Sequence, residues 1–410
     1  MQLRFSIAIL LTCVSLLTLQ GCARIAIREP TSAQWDAPNA IRMLGPDQRF
    51  STLSAQSFAR RLRAQHGGQP VTILALSGGG AGGAFGAGAL VGLTRSASRP
   101  SFSVVTGVST GALIAPYAFL GPAWDDRLIE VYTSGRAEHL LQSRGLGALF
   151  GSSVYRGAPL KDLVDRYATD ELIEAVAHEA STGRLLLVAT TEVSTGEPVV
   201  WDLGSIAMNG GAGARVLFRD VLVASASVPG LFPPVVIRVQ EAQALYEEVH
   251  VDGATTVPFL VPLAFVESSP DGDDRSHGVA VYVIVDGRLS EQPVAIRLRT
   301  ISILSRSVSA GLNHMMKTTL ELTAAHAELE GAQFQFAAIP LAYRQLDPFD
   351  FRTPTMRSLF RYGSTCAQTG RLWISPRGAA SDAASRTGAV ASQNTPCPVD
   401  DESNGRLVSR

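Results

Sequence analysis

Charge and cysteine are the scarce materials of this chain: 17% of its 410 residues are charged and four are Cys, with a formal net charge of -1. A near-neutral sequence without a clustered basic stretch lacks the electrostatic footprint that nucleic-acid binding requires. Cys13, Cys22, Cys366 and Cys397 have none of the paired spacing of a zinc site, so no metal is expected. No second apolar run of membrane-spanning length follows the first thirty residues, and no internal repeat is found. Asp and Glu are missing altogether from Ser77 to Trp124. What remains is 46% hydrophobic, enough to bury a sizeable core, with 38 glycines gathered in a few clusters.

The N-terminus carries the one long apolar run, "FSIAILLTCVSLLTL", too short for a comfortable span and of the length of a signal-peptide core. It ends in "LQGCA", which resembles the lipobox of bacterial lipoproteins. That resemblance implies a signal peptide over 1–21 and a lipidated Cys22, and Ala23 after it favours the outer membrane. The expected location is therefore the cell envelope, lipid-anchored, facing the periplasm. An ordinary signal peptide or an uncleaved anchor is the alternative. Outside the cytoplasm Cys366 and Cys397 can pair, or both can stay free thiols.

Residues 22–69 read as a linker with scattered Pro and a short helix in "STLSAQSFARRLRAQH". From Val71 onward, β-branched runs such as "VTILALS", "FSVVTGV", "LLLVATTEV" and "GVAVYVIVDG" alternate with helical patterns. Alternation of this kind predicts an α/β fold, a mostly parallel sheet covered by helices on both faces. A catalytic unit is expected over 70–290, completed over 291–375 by a long helix in 296–332 and a strand in "FQFAAIPL". The Ala, Ser and Gly-rich segment 376–410 has no periodicity and reads as disordered.

Three motifs carry chemistry. "GGGAGG" (78–83) follows the first strand, and its backbone can present N–H groups to an anion. "GVSTG" (107–111) sets Ser109 between Gly107 and Gly111 on a strand-to-helix turn, the context a nucleophile elbow requires. "VDGATTVP" delivers Asp252 from an apolar strand into a turn made by Gly253; an Asp there can also simply cap the turn. Of the seven histidines only His250 draws attention, two residues before Asp252 and hence on the same strand face.

In this order the motifs resemble those of the patatin-like phospholipases, and "VLVASASVPGLFPPV" (221–235) is similar to a fourth block of that family. The resemblance covers about Val71 to Gly287. It implies a three-layer α/β/α fold and a lipid acyl hydrolase without cofactor, in which Ser109 attacks an ester and Asp252 takes its proton. The amides of Gly79, Gly80 and Gly82 would hold the oxyanion, within a motif that includes Gly78 and Gly83. Family members often carry Arg or Lys at the position of Gly82, so attraction for a phosphate headgroup is expected to be weaker here. The implied partners are a lipid or acyl-ester substrate and the membrane.

Three rival readings stand. A dinucleotide-binding turn fits "GGGAGG" but wants an acid about 20 residues on, and none is present. An α/β-hydrolase triad would need His277 or His314 to serve Asp252 and Ser109. A non-catalytic lipoprotein retaining the fold would leave the Ser, Asp and glycine motifs without a purpose.

Overall fold

The computed structural model describes residues 70–145, 151–241, 244–262, 278–290, 298, 300–343, 347–375 and 397, all within the compact unit Ala37–Arg410. The expected signal peptide over 1–21, Cys22 and the expected linker lie outside the described residues.

The chain alternates strand and helix from the start. β1 (Val71–Leu76) leads through a 3-10 turn (Gly80–Gly82) into α1 (Gly83–Arg95), then β2 (Val104–Val108), α2 (Thr110–Leu120) and α3 (Asp125–Thr133). α4 (Ala158–Tyr167) and α5 (Asp170–Ser181) follow. They are separated at Thr169, whose hydroxyl accepts from the Leu172 amide and so caps α5. Then come β3 (Leu185–Glu192), β4 (Glu197–Asp202), α6 (Leu203–Asn209) and α7 (Gly211–Ser225). β5 (Val235–Glu241) and β6 (Ala244–Asp252) form an antiparallel pair, followed by β7 (Val279–Val285), α8 (Thr300–Leu329), β8 (Gln333–Ala338) and α9 (Thr353–Gln368).

The strands form one mixed sheet in the order β5-β6-β3-β2-β1-β7-β8, with β4 on β3. Its centre, β3-β2-β1-β7-β8, is parallel; β4, β5 and β6 join antiparallel. Residues pointing to alternate sides of the strands divide between two buried clusters. Leu74, Leu76, Val105, Leu186 and Val188 face α1 to α7 and α9, while Ile73, Ala75, Val104, Leu185, Leu187, Val281 and Val283 face α8. The expected long helix and final strand are thus present.

Two features are positioned by tertiary contact. α9 packs against α1 so closely that a Cβ at Gly88 would lie 2.0 Å from the Phe360 carbonyl oxygen, and one at Gly363 2.2 Å from that of Phe85. The abundance of small residues in α1 is the condition for that approach. Cys397, inside the segment expected to be disordered, is buried and joined to Cys366 in α9 with a Cα separation of 5.3 Å. Its carbonyl also accepts from the Tyr362 hydroxyl. At this residue the tail is fixed; the rest of 376–410 lies outside the described residues.

Candidate active site

Parallel strands end together, so the turns after β1, β2 and β7 open on one edge of the sheet, the place where open α/β folds put their ligands. Ser109 follows β2 directly. Its φ of 55° and ψ of -124° are a left-handed conformation that a serine adopts only when the surroundings impose it. They do so from both sides: a Cβ at Gly107 would lie 2.6 Å from the Ala112 Cα, and one at Gly111 2.4 Å from the Leu76 carbonyl oxygen. Only glycines let the strand, turn and helix approach this closely. The Ser109 amide donates to the Ser225 hydroxyl, which in turn donates to the Ala189 carbonyl. Thus the Ala-Ser block at the end of α7 braces the turn.

Asp252 reaches Ser109 through sheet register. β4 occupies one edge of β3 over its length, and β2 occupies the other only as far as Ala189, paired with Val108. β6 then pairs with β3 from Thr190 onward, Thr190 lying opposite Asp252. The ends of β2 and β6 therefore meet head to head. The Ser109 hydroxyl donates to Asp252 Oδ2 at 2.5 Å, while Oδ1 accepts from the Ala254 amide at 2.8 Å. The second bond is the turn cap that the sequence allowed; the first coexists with it. Both side chains are buried, and the loss of water raises the Asp252 pKa from 3.8 to about 7, against the lowering effect of its two hydrogen bonds.

The glycine loop packs against the same turn, with the position of a Cβ on Gly78 only 3.2 Å from the Ser109 Cβ. Gly80 has a φ of 57°. The Ala81 amide donates to the Pro348 carbonyl and the Gly82 amide to the Gly79 carbonyl. That internal bond takes Gly82 out of the set of available donors. The amides of Gly79 and Gly80 have no partner among the described residues. A Cβ at Gly82 would lie 1.9 Å from the Asp286 carbonyl oxygen, so this backbone has no room for the Arg or Lys that relatives often carry there. α1 and α2 begin at Gly83 and Thr110, and a Cβ at Gly83 would lie 2.2 Å from the Thr110 hydroxyl oxygen. Two helix N-termini, each a partial positive charge, converge here.

Asp286 is the site-adjacent residue that sequence reading passed over. It directly follows β7 in "VIVDG", a strand-Asp-Gly pattern like the one that marks Asp252 in "VHVDG". Its carbonyl packs under Gly79 and Gly82, its Oδ1 accepts from the Gly86 amide, and its Oδ2 is buried with no hydrogen-bond partner among the described residues. Burial raises its pKa well above 3.8, against the lowering effect of the Gly86 amide.

Among the described residues no histidine contacts the pair. His250 is fully buried, with Nδ1 3.0 Å from the Thr190 hydroxyl oxygen, Nε2 3.1 Å from Glu248 Oε2, and its ring against Trp201. His314 lies exposed on α8, and His277 is outside the described residues. Among the described residues, no group of His, Cys, Asp and Glu is arranged to hold a metal ion, and no helix is long and apolar enough to cross a membrane.

The structure thus combines a mixed α/β sheet flanked by helices with a serine on a strained strand-to-helix turn bonded directly to a buried aspartate. Residues 74–263 match the model of the family described as patatin-like phospholipase. The fold is also similar to that of VipD from Legionella pneumophila, at 11% identity and a TM-score of 0.37, over 74% of this chain and 67% of that one. No curated protein sequence matches.

Proposed function

We propose that the protein is a lipid acyl hydrolase working through a Ser109–Asp252 dyad. The observation that carries this reading is the 2.5 Å hydrogen bond from the Ser109 hydroxyl to Asp252 at the turn after β2. The Ser109 oxygen attacks the ester carbonyl carbon as its proton passes to Asp252 Oδ2. The Gly79 and Gly80 amides and the two helix N-termini stabilise the tetrahedral oxyanion, each such donor contributing roughly 100 to 1,000-fold in rate. Collapse breaks the ester C–O bond, and Asp252 returns the proton to the leaving alcohol. Water, deprotonated by Asp252, then releases the acyl group from Ser109. A carboxylate with a pKa of about 7 is a better base than an ordinary one and is still half ionised near neutrality.

The matched family favours an acyl ester of a lipid as substrate. Gly82 supplies no cation, so the headgroup phosphate gains no attraction at that position. The "LQGCA" sequence supports a signal peptide over 1–21 and lipidation of Cys22, which would hold the enzyme at the envelope membrane beside its substrate.

Ester turnover by a form lacking residues 1–22 tests the dyad. Ser109→Ala and Asp252→Asn should each lose at least about a thousandfold in kcat while remaining folded. Turnover equal to the parent in both would overturn the assignment. Separately, Cys22→Ser should move the full-length protein from the membrane to the soluble fraction; unchanged retention would reject the lipid anchor.

A further inference from the structure

Gly79 and Gly80 carry the two amides of the glycine loop that have no partner among the described residues, and neither residue has a side chain to hold its backbone in place. Consecutive glycines are the backbone most free to turn a peptide plane over. In a trans peptide the C=O of one residue and the N–H of the next lie in one plane and point in opposite directions. Whatever holds the Gly78 carbonyl therefore aims the Gly79 amide, and whatever holds the Gly79 carbonyl aims the Gly80 amide. Both carbonyls are held. The Gly79 carbonyl accepts from the Gly82 amide at 3.0 Å, a bond made within the loop. The Gly78 carbonyl accepts from the Ser77 hydroxyl at 2.7 Å. Ser77 follows β1 directly and is fully buried, its own amide tied to the Ile284 carbonyl on β7. Its hydroxyl accepts from the Asp286 amide at 2.9 Å. An amide only donates, so the hydroxyl must accept on that side, and its single proton is left for Gly78.

We propose that Ser77 is a positioning residue for the oxyanion hole: its hydroxyl, set by the Asp286 amide, locks the Gly78–Gly79 peptide against a flip and keeps the Gly79 amide turned away from Ser77, toward the oxyanion. This role rests on the acyl hydrolase reading and adds to it a residue that acts through a backbone amide. A flipped peptide would exchange the Gly79 N–H for the Gly78 carbonyl, so that an acceptor would face the developing negative charge where a donor had stood. The Gly82 amide does for Gly80 what Ser77 does for Gly79. Its engagement inside the loop, which removes it as an oxyanion donor, is what orients its neighbour.

Ser77→Ala removes the donor with little change of volume. Assayed below its melting temperature, it should lose about tenfold to a hundredfold in kcat with KM within about twofold of the parent, because the bond serves the transition state and not substrate binding. An alkyl trifluoromethyl ketone, which adds to Ser109 and places an oxyanion where that of the ester forms, should bind more weakly by the factor lost in kcat/KM. The acidic limb of the pH profile, set by Asp252, should not move. Ser77→Cys, whose thiol is a weaker donor of similar size, should fall between parent and Ser77→Ala, and it carries the test if Ser77→Ala does not fold. Parental kcat and parental ketone affinity in Ser77→Ala, beside an inactive Ser109→Ala, would overturn this role and leave the dyad standing. A loss confined to KM would overturn it as well. If Ser109→Ala turns over substrate as fast as the parent, the dyad falls and the role of Ser77 with it.

Discussion

At the residue scale, the base role proposed for Asp252 conflicts with its surroundings. Burial raises its affinity for a proton, and the same burial penalises its charge. Turnover should fall as pH drops below about 7, with the slope of a single protonation, because a carboxyl that already holds a proton cannot take the one from Ser109. A pH profile of kcat/KM checks this, and a flat profile down to pH about 5 would exclude Asp252 as the base. Stability runs the other way. A folded-state pKa above 3.8 favours the folded protein with the proton on, fully below about 4, and that advantage is lost as pH rises through about 7. Asp252→Asn cannot ionise, so its melting temperature should exceed that of the parent above neutrality, and the difference should shrink steadily as pH falls toward about 4. Gly82 and Asp286 belong to the same scale. The missing cation was legible as a departure from a motif, but its cause, the Asp286 carbonyl beneath the loop, lies about two hundred residues away.

Among elements, the α1–α9 contact is the most exacting. Ordinary helix pairs sit 8–10 Å apart, and a glycine on each side is what permits a closer approach. Gly88→Val should push α9 away and cost about 1–3 kcal/mol or more, lowering the melting temperature. Because α1 also continues the glycine loop, turnover should decline with it. Retention of both would show that the helices can separate without consequence. The glycines of "GAFGAGALVGL" were readable as a small-residue helix, yet their partner was not, since α9 follows 257 residues after the end of α1. The register of β6 on β3 was likewise beyond periodicity. Alternation identifies a strand but not the edge it pairs with.

For the whole molecule, the Cys366–Cys397 bond fixes a point in the C-terminal segment to α9 and thence to α1. Closing a loop with a sequence separation of 31 stabilises by about 3 to 4 kcal/mol in the chain-entropy model. Reduction, or Cys397→Ser, should lower the melting temperature by several degrees while leaving ester turnover at low temperature unchanged, because neither sulfur is near Ser109. A melting curve insensitive to reductant would mean that the bond contributes nothing.

The sequence alone determined the alternation of strands and helices, the serine turn, the glycine loop and the strand-delivered aspartate. Each rests on local physics: side-chain period, the steric demands of a tight turn, and the backbone freedom of glycine. The tertiary structure decided that Asp252 meets Ser109, that Gly82 has room for no side chain and its amide is already engaged, and that Cys397 is anchored. Those outcomes depend on strand register and helix approach between segments far apart in the chain, which no window of residues records.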